Sequence, residues 1–325
     1  MAINVLRYEH AGRTGWGVLR GERVTPVPGE FPTTGAFIEA NTTAALAALS
    51  GGEIALGDVR VLSPVTRNQQ FVCQGANYRQ HMIESGMDPD AKHYNMIFTK
   101  ASSCIVPASS DVVKPRRVRL LDYEIELGLV LRRAIEGPCA VTPGNLADYV
   151  AGLVIVNDYS ARDVQIPQMQ FYKGKSFRTF GPVGPWLCLL DAADYARLGA
   201  LRLTLTVNGE VRQDDSTANL VYGPAETLAE MSGVHDFAPG DLIATGTPAG
   251  CALSIPKPAV LRIVTLFGEA ARWRMFGKVQ AKRTQYLKAG DLVESRIRSV
   301  DGIIDLGVQR NLVVEEPVAP SVHDR

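Results

Sequence analysis

Acidic side chains occupy every second position in one short segment of the chain. The segment, DYEIEL from Asp122 to Leu127, continues into an apolar stretch. Because alternate side chains share one face of a β-strand, Asp122, Glu124 and Glu126 are predicted to point the same way. A solvent-exposed acidic strand is one interpretation of this pattern. The other is a site whose carboxylates act together on a bound cation.

A second apolar strand, predicted over residues 150–156, ends in Asn157 and Asp158. A carboxylate at the end of such a strand is held by a rigid scaffold and can point into a pocket. If Glu124, Glu126 and Asp158 converge, their charges need a counter-ion, and neither His nor Cys stands beside them in the sequence. Oxygen ligands alone are typical of hard cations, so this set predicts Mg²⁺ or Mn²⁺ rather than Zn²⁺.

A histidine and a glutamate stand three residues apart in the segment NYRQHMIE, which is predicted to be helical over residues 77–85. On a helix His81 and Glu84 are neighbours on one face. A carboxylate beside an imidazole fixes its tautomer and raises its basicity, as a general base that activates water requires. A surface ion pair of little energetic value is the alternative interpretation.

Two glycine-containing loops have the composition of ligand-closing segments. KGKSF, residues 173–177, could present an ammonium group to an anionic substrate. TGTPAG, residues 245–250, offers hydroxyls and backbone N–H groups that could cradle a carboxylate. Ordinary turns have the same composition. Arg162 and Gln165 follow Asp158 closely and are expected to enter the same cleft.

The elements that must position these groups are mostly β-strands rich in β-branched residues. Helices are predicted only at 43–49, 77–85 and about 225–231, so the fold class is α+β and β-dominated, not a doubly wound sheet. Residues 1–65 are predicted to form a small N-terminal β-rich domain and residues 66–325 the main domain. The main-domain strand candidates are 71–76, 95–100, 123–131, 149–158, 201–209, 241–248 and 291–300.

Composition excludes several classes of protein. The 325 residues include 34 basic and 34 acidic side chains, and 46% are apolar, which excludes a disordered protein. A net charge of zero argues against a general nucleic-acid binder. No apolar stretch approaches the ~20 residues of a membrane span, and the N-terminus lacks the pattern of a signal peptide. We therefore expect a cytoplasmic protein that binds neither nucleic acid nor membrane.

One segment departs from this neutrality. Between Pro258 and Leu287, Glu269 is outnumbered by basic residues, which gives a net charge of +5 with Trp273 and Phe276 interleaved. Such a patch could bind an anion, a nucleic acid or a partner. A solvated face is the interpretation that the neutral remainder of the chain favours. The basic residues are Arg262, Arg272, Arg274, Lys278, Lys282 and Arg283.

Taken together, the motifs resemble the fumarylacetoacetate hydrolase family over residues 71 to about 300. The matching stretches are GANYRQHMIE, FTKASSCIVP, LDYEIELGLVL, NDYSARDVQ, GKSFRTFGPVGP, GDLIATGTPAG and LKAGDLVESRI. The resemblance implies a mixed β-sandwich or roll with a short helical lid, and a homodimer. One branch of the family has a fourth, aspartate ligand seven residues before the histidine. Gln74 stands there, so the chain resembles the three-carboxylate, acylpyruvate hydrolase-like branch.

The resemblance also implies roles for individual residues. Glu124, Glu126 and Asp158 match the carboxylates that hold Mg²⁺ or Mn²⁺. His81 and Glu84 match the catalytic pair on the lid. Lys175 matches the catalytic lysine beside the metal. The residues expected to bind substrate are Tyr78, Arg79, Lys100, Arg162, Gln165, Arg178 and Thr247.

The implied reaction is hydrolysis of a carbon–carbon bond in a β-diketo acid such as an acylpyruvate. His81, oriented by Glu84, would activate a water, and the metal and Lys175 would stabilise the enolate that leaves. The same site could instead serve tautomerisation or isomerisation, including that of a dienoate, or decarboxylation of a 2-oxo acid such as oxaloacetate. A binding protein that has lost catalysis is a further alternative.

The chain departs from the family pattern at three places. Arg178 replaces the acidic residue of the usual KSFD, and Ala101 follows Lys100 where proline is common. A basic insertion is predicted at about residues 256–286, between the TGTPAG loop and Leu287. The insertion leaves the substrate and the dimer interface open, and with Arg178 it suggests an anionic or carbonyl-rich substituent on the substrate.

Overall fold

The fold is built almost entirely from strands. The computed structural model describes residues 2–254 and 266–317. The strands of this part of the chain are β1 Ile3–His10, β2 Arg13–Arg20, β3 Arg23–Pro26, β4 Ile54–Ala55, β5 Arg60–Leu62, β6 Phe71–Gly75, β7 Met96–Thr99, β8 Ile105–Pro107, β9 Val112–Lys114, β10 Leu121–Asp122, β11 Ile125–Leu131, β12 Val150–Asn157, β13 Ser160–Ala161, β14 Gly181–Val183, β15 Leu187–Leu189, β16 Leu201–Val207, β17 Glu210–Ser216, β18 Leu242–Ala244, β19 Leu292–Ser299 and β20 Asp305–Glu315.

The helices within the described ranges are short, and several lie between strands rather than crossing a sheet. The predicted helices at 77–85 and 225–231 are present with slightly different ends, and the α+β, β-dominated fold class is confirmed. The α-helices are α1 Thr34–Ala40, α2 Thr43–Ala48, α3 Arg79–Glu84, α4 Arg162–Gln168, α5 Phe171–Lys175, α6 Pro224–Ser232 and α7 Glu269–Gln280. None of the described helices is long and apolar enough to cross a membrane.

The two largest sheets share an apolar cluster. Ten strands of a 13-stranded sheet follow the order β4-β3-β2-β1-β15-β12-β11-β18-β6-β7, and β5, β8 and β14 pair off this path; a five-stranded sheet follows β17-β16-β19-β20-β9. Every residue of β11 and β12 is buried, which explains why these strands are apolar on both faces. Leu129 and Ile155 from the large sheet share one cluster with Leu203 and Ile297 from the small sheet.

The N-terminal strands extend the large sheet and do not form a separate one. β1 pairs with β15 through Ile3 and Leu189, and also with β5. The boundary between residues 65 and 66 stays a prediction.

The acidic segment differs from its predicted form. β10 ends at Asp122 and β11 begins at Ile125, so the strand predicted over residues 123–131 begins two residues later than predicted and leaves Tyr123 and Glu124 between two strands. Asp122, Glu124 and Glu126 are all buried, and the interpretation as a solvent-exposed acidic strand is therefore wrong.

Other differences follow from local chemistry. The predicted strand over 241–248 ends at Ala244, because Gly246 adopts a left-handed φ of +87°. Strand β17 reads EVRQDDS and carries no apolar alternation that would have predicted it. In the basic insertion, α7 is described, whereas Arg262 and its neighbours at 255–265 lie outside the described residues.

Candidate active site

Three carboxylates meet where β11 begins and β12 ends. Glu124, Glu126 and Asp158 each offer an oxygen that lies within 4.8 Å of the others. The backbone sets this meeting point, because the Asp158 N–H donates to the Glu124 carbonyl at 2.8 Å. The Glu124 N–H in turn donates to the Asn157 side chain at 3.0 Å. These two hydrogen bonds hold the segment that carries Glu124 against the segment that carries Asp158, at the gap between β10 and β11.

Two buried lysines neutralise part of this cluster. The Lys175 ammonium donates to Glu124 at 2.6 Å and also to Asp158. Lys100 donates to Asp158 and to the Phe180 carbonyl. The family resemblance predicts that Lys175 lies beside the metal and that Lys100 binds substrate. The structure brings both side chains onto the carboxylates.

Glu126 is the least compensated carboxylate of the three. One of its oxygens accepts a hydrogen bond from the Gly246 N–H at 3.0 Å. Burial, followed by the charges of Asp158 and Glu124, raises the pKa of Glu126 well above its ordinary value. Burial also opposes ionisation of Glu124, but Arg162 and Lys175 outweigh it and hold the pKa of Glu124 below its usual range.

Arg162 lies behind the cluster and connects three side chains. Its guanidinium donates to Asp122 at 2.8 Å, to Gln165 at 2.8 Å and to Glu124. Asp122 also accepts the N–H groups of Ala252 and Leu253, which precede the basic insertion. Arg162 and Gln165 therefore reach the predicted cleft, but their mutual contacts orient Glu124. Asp122 lies outside the group of three carboxylates that could hold a metal ion.

His81 and Glu84 do not act as a hydrogen-bonded pair in this structure. Both lie on α3, and the charges of Glu124 and Arg162 act on the partly buried imidazole of His81. Burial and then Arg162 lower the pKa of His81, against the opposing effect of Glu124. Glu84 is exposed, and its carboxylate accepts from Gln80 at 3.4 Å. No hydrogen bond joins it to His81 within the described residues.

The remaining predicted substrate residues divide between interior and surface. The Thr247 hydroxyl donates to the Ile125 carbonyl at 3.0 Å and accepts from Gln213 at 2.8 Å, so it is occupied by the protein. Tyr78 is fully buried, and its hydroxyl has no partner in the described part of the chain. Arg79 forms an ion pair with Asp90 at the surface. 

Arg178 is exposed to solvent. Neither Arg79 nor Arg178 contacts the carboxylates in the hydrogen bonds and ion pairs of the described residues. Their assignment as substrate-binding residues stays a prediction.

Two residues next to the cluster were not predicted as site residues from the sequence. The Cys251 sulfur lies 3.9 Å from a Glu124 oxygen, and the Lys175 ammonium lies 5.0 Å from the centre of the Phe98 ring. Phe98 stands in the FTK stretch, two residues before Lys100. Its closeness to Lys100 in the sequence could have indicated that it lies near the site. An isolated cysteine carries no such signal, because only the return of the chain after β18 brings Cys251 to Glu124.

The donor set fits a hard divalent cation. It consists of carboxylate oxygens, it is buried, and it leaves Glu126 without a cationic partner in the described structure. These features match the oxygen ligation that Mg²⁺ and Mn²⁺ prefer. Cation binding would require Lys100 and Lys175 to yield some of their present contacts.

Comparison with known proteins identifies the family of the chain. The family model for the C-terminal domain of fumarylacetoacetate hydrolase matches residues 70–314. A protein of Burkholderia multivorans, provisionally described as a hydrolase, is 35% identical over 267 residues, which cover 80% of this chain and 92% of that protein. An oxaloacetate tautomerase of Bacillus subtilis is 34% identical over 210 residues, which cover 64% of this chain and 68% of that protein.

Solved structures of other proteins share the fold of this chain. A fumarylacetoacetate hydrolase from the psychrophile Exiguobacterium antarcticum superposes with a TM-score of 0.72 at 26% identity, covering 97% of this chain and 100% of that chain. A 2-hydroxyhepta-2,4-diene-1,7-dioate isomerase from Mycobacterium marinum gives 0.70 at 24% identity with the same coverage. The second likeness supports the fold alone.

Proposed function

Because this chain belongs to the fumarylacetoacetate hydrolase family, we propose that it is a divalent-metal-dependent hydrolase that cleaves a carbon–carbon bond of a β-diketo acid of the acylpyruvate type. The observation that carries the proposal is the buried group of Glu124, Glu126 and Asp158, with Lys175 in contact with two of its members. A site of this kind suits a substrate on which negative charge develops during the reaction.

Glu124, Glu126 and Asp158 would hold the cation, which we propose to be Mg²⁺ or Mn²⁺. When bound, the cation would supply Lewis-acid stabilisation of negative charge on the 2-oxo acid end of the substrate. Lys175 lies against the same carboxylates and can donate hydrogen bonds to that end. Lys100 lies beside Asp158 and can add a second positive charge.

His81 is the group best suited to handle protons. Its lowered pKa keeps the imidazole neutral near pH 7, as a general base requires. In the proposed reaction His81 removes a proton from water while the water oxygen bonds to the carbonyl carbon distant from the carboxylate. The carbon–carbon bond next to that carbonyl then breaks, and its electron pair leaves as the enolate of pyruvate. Protonation of the enolate yields pyruvate beside a carboxylic acid.

A second candidate keeps the site and changes the reaction to tautomerisation or isomerisation of a 2-oxo acid. Two observations favour it: the 34% identical relative is an oxaloacetate tautomerase, and Glu84 does not hydrogen-bond to His81 in the described structure. A base that only moves a proton between carbon and oxygen does not have to orient an attacking water. Decarboxylation of a 2-oxo acid would draw on the same stabilised enolate.

The test is product analysis by mass spectrometry. Metal-stripped protein is supplied again with Mg²⁺ or Mn²⁺ and incubated with a panel of acylpyruvates and with oxaloacetate. Metal-dependent release of pyruvate and an acid would support hydrolysis. Unchanged mass with altered ultraviolet absorbance would indicate tautomerisation, and loss of CO₂ decarboxylation. An absence of turnover across the panel, with metal bound, would contradict all three.

A further inference from the structure

Asn77 is a buried polar residue to which the proposed mechanism assigns no step. Its carboxamide oxygen accepts the Tyr222 N–H at 2.8 Å. Its nitrogen donates to the carbonyl oxygens of Tyr222 at 3.0 Å and Thr245 at 2.9 Å. A carboxamide has two N–H donors, so both are used here, and the side chain is 1% exposed.

These hydrogen bonds join the lid to the loop that contacts a metal ligand. Asn77 stands two residues before α3, and Thr245 begins the loop after β18. The next residue, Gly246, donates its N–H to Glu126. Gly246 also packs directly on Asn77, because a Cβ atom added to this glycine would lie 2.9 Å from the Asn77 Cβ. The segments of Asn77 and Gly246 are therefore packed so closely that no side chain fits between them.

A second set of hydrogen bonds holds the chain after α3, at Asn95. Gln74 donates to Asn95 at 3.0 Å and to the Thr227 hydroxyl at 2.9 Å. A helix of six residues such as α3 is too short to hold its own orientation. Its direction must therefore come from the anchors before and after it, and the Asn77 side chain stands nearer to His81 in the sequence than Gln74 or Asn95 does.

We infer that Asn77 is a positioning residue that fixes α3, and with it His81, against the loop that orients Glu126. The inference rests on the proposed function, in which His81 is the base and Glu126 binds the metal. Loss of the Asn77 side chain would remove the hydrogen bonds that hold α3 against the loop after β18. It would let the imidazole move relative to the cation, and it would loosen the Gly246 N–H that faces Glu126.

The experiment begins with Asn77→Ala. We expect kcat to fall about 10–100-fold and Mn²⁺ affinity to fall about tenfold, as is typical when the support of a metal site is removed. Amide hydrogen exchange in α3 should become faster in the metal-free protein. In a His81→Ala background, Asn77→Ala should lower kcat little further, because it acts through the base that is already missing.

Asn77→Asp separates hydrogen bonding from packing. It has nearly the same shape, but it puts a carboxylate oxygen opposite the carbonyls of Tyr222 and Thr245. We expect it to be at least as impaired as Asn77→Ala. If Asn77→Asp instead matches the wild type in kcat and in α3 exchange, Asn77 acts by packing alone and the inference is overturned.

Asn311→Ala is the matched control. Asn311 is equally buried, its nitrogen donates to the carbonyls of Ala108 and Ser110, and its oxygen accepts from Tyr159. This variant should lose comparable thermal stability with unchanged Mn²⁺ affinity and unchanged α3 exchange. Equal changes in both variants would overturn the inference. If no substrate is turned over, the proposed reaction fails, and Mn²⁺ affinity and hydrogen exchange still decide the role of Asn77.

Discussion

Replacing Glu126 by glutamine tests the charge balance of the carboxylate cluster without any substrate. Glu126 is 1% exposed, and burial together with the charges of Asp158 and Glu124 raises its pKa. Glutamine keeps the size of the side chain and an oxygen that can accept the Gly246 N–H. It removes only the ability to carry a negative charge in a buried place.

The sign of the effect follows from linkage between protonation and folding. The pKa of Glu126 is higher in the folded protein than the ordinary value of 4.5, so the folded state binds the proton more tightly. Its contribution to stability is complete below the unfolded pKa and is lost as pH rises through the folded pKa. Each pKa unit of elevation corresponds to about 1.4 kcal/mol of unfolding free energy. In domains of 150–250 residues one kcal/mol shifts Tm by about 2–4 °C.

Differential scanning calorimetry of metal-stripped protein from pH 5 to 9 measures the effect. Glu126→Gln should become progressively more stable than the wild type as pH rises, and the comparison cancels the titration of His81. Saturating Mn²⁺ should reverse the order, because the variant has lost a charged ligand. Glu226→Gln is the control, since Glu226 pairs with Lys92 at the surface. A difference in Tm between Glu126→Gln and wild type that does not change with pH would refute the reasoning.

Three further results are expected. His81→Ala should lose about 10²–10⁴-fold in turnover while Mn²⁺ affinity by calorimetric titration stays the same; wild-type turnover would exclude this base. In the wild type, kcat/KM should fall on acidification through a pKa below 6.5, because burial favours the neutral imidazole, and an acid limb above 6.5 would contradict the assignment. Arg162→Ala should lower the free energy of unfolding in urea by about 3–5 kcal/mol, because it leaves Asp122 and Glu124 without their buried partner; a loss under 1 kcal/mol would show that the pairs are not needed.

Much of the fold could be predicted from the sequence because its strands are strongly patterned. The apolar runs that became β11 and β12 are buried on both faces, and such runs have few alternatives in a globular domain. Strand β17 could not be predicted in this way, because its residues are mostly polar. It is a strand because β16 offers it a hydrogen-bonding edge, which is a property of the neighbouring chain segment.

The candidate site divides in the same manner. Alternation in DYEIEL and the carboxylate at the end of an apolar strand drew attention to Asp122, Glu124, Glu126 and Asp158, because both patterns are local, and the family resemblance narrowed the ligand set to Glu124, Glu126 and Asp158. The partners of these groups were less accessible. The sequence predicts that Arg162 enters the cleft, but nothing in it says that Arg162 would pair with Asp122 and Glu124, or that Glu84 would accept from Gln80 and not pair with His81.

By itself, then, the sequence determined which side chains are the candidate ligands and which strands hold them, since residue type and periodicity are written along the chain. Only the tertiary structure decided which charges meet. Lys100 and Lys175 reach Asp158 across 58 and 17 residues of chain, and Gly246 reaches Glu126 across 120. Buried charge must be compensated by whatever the fold brings within hydrogen-bonding distance, and that distance is set by the packing of the sheets and loops.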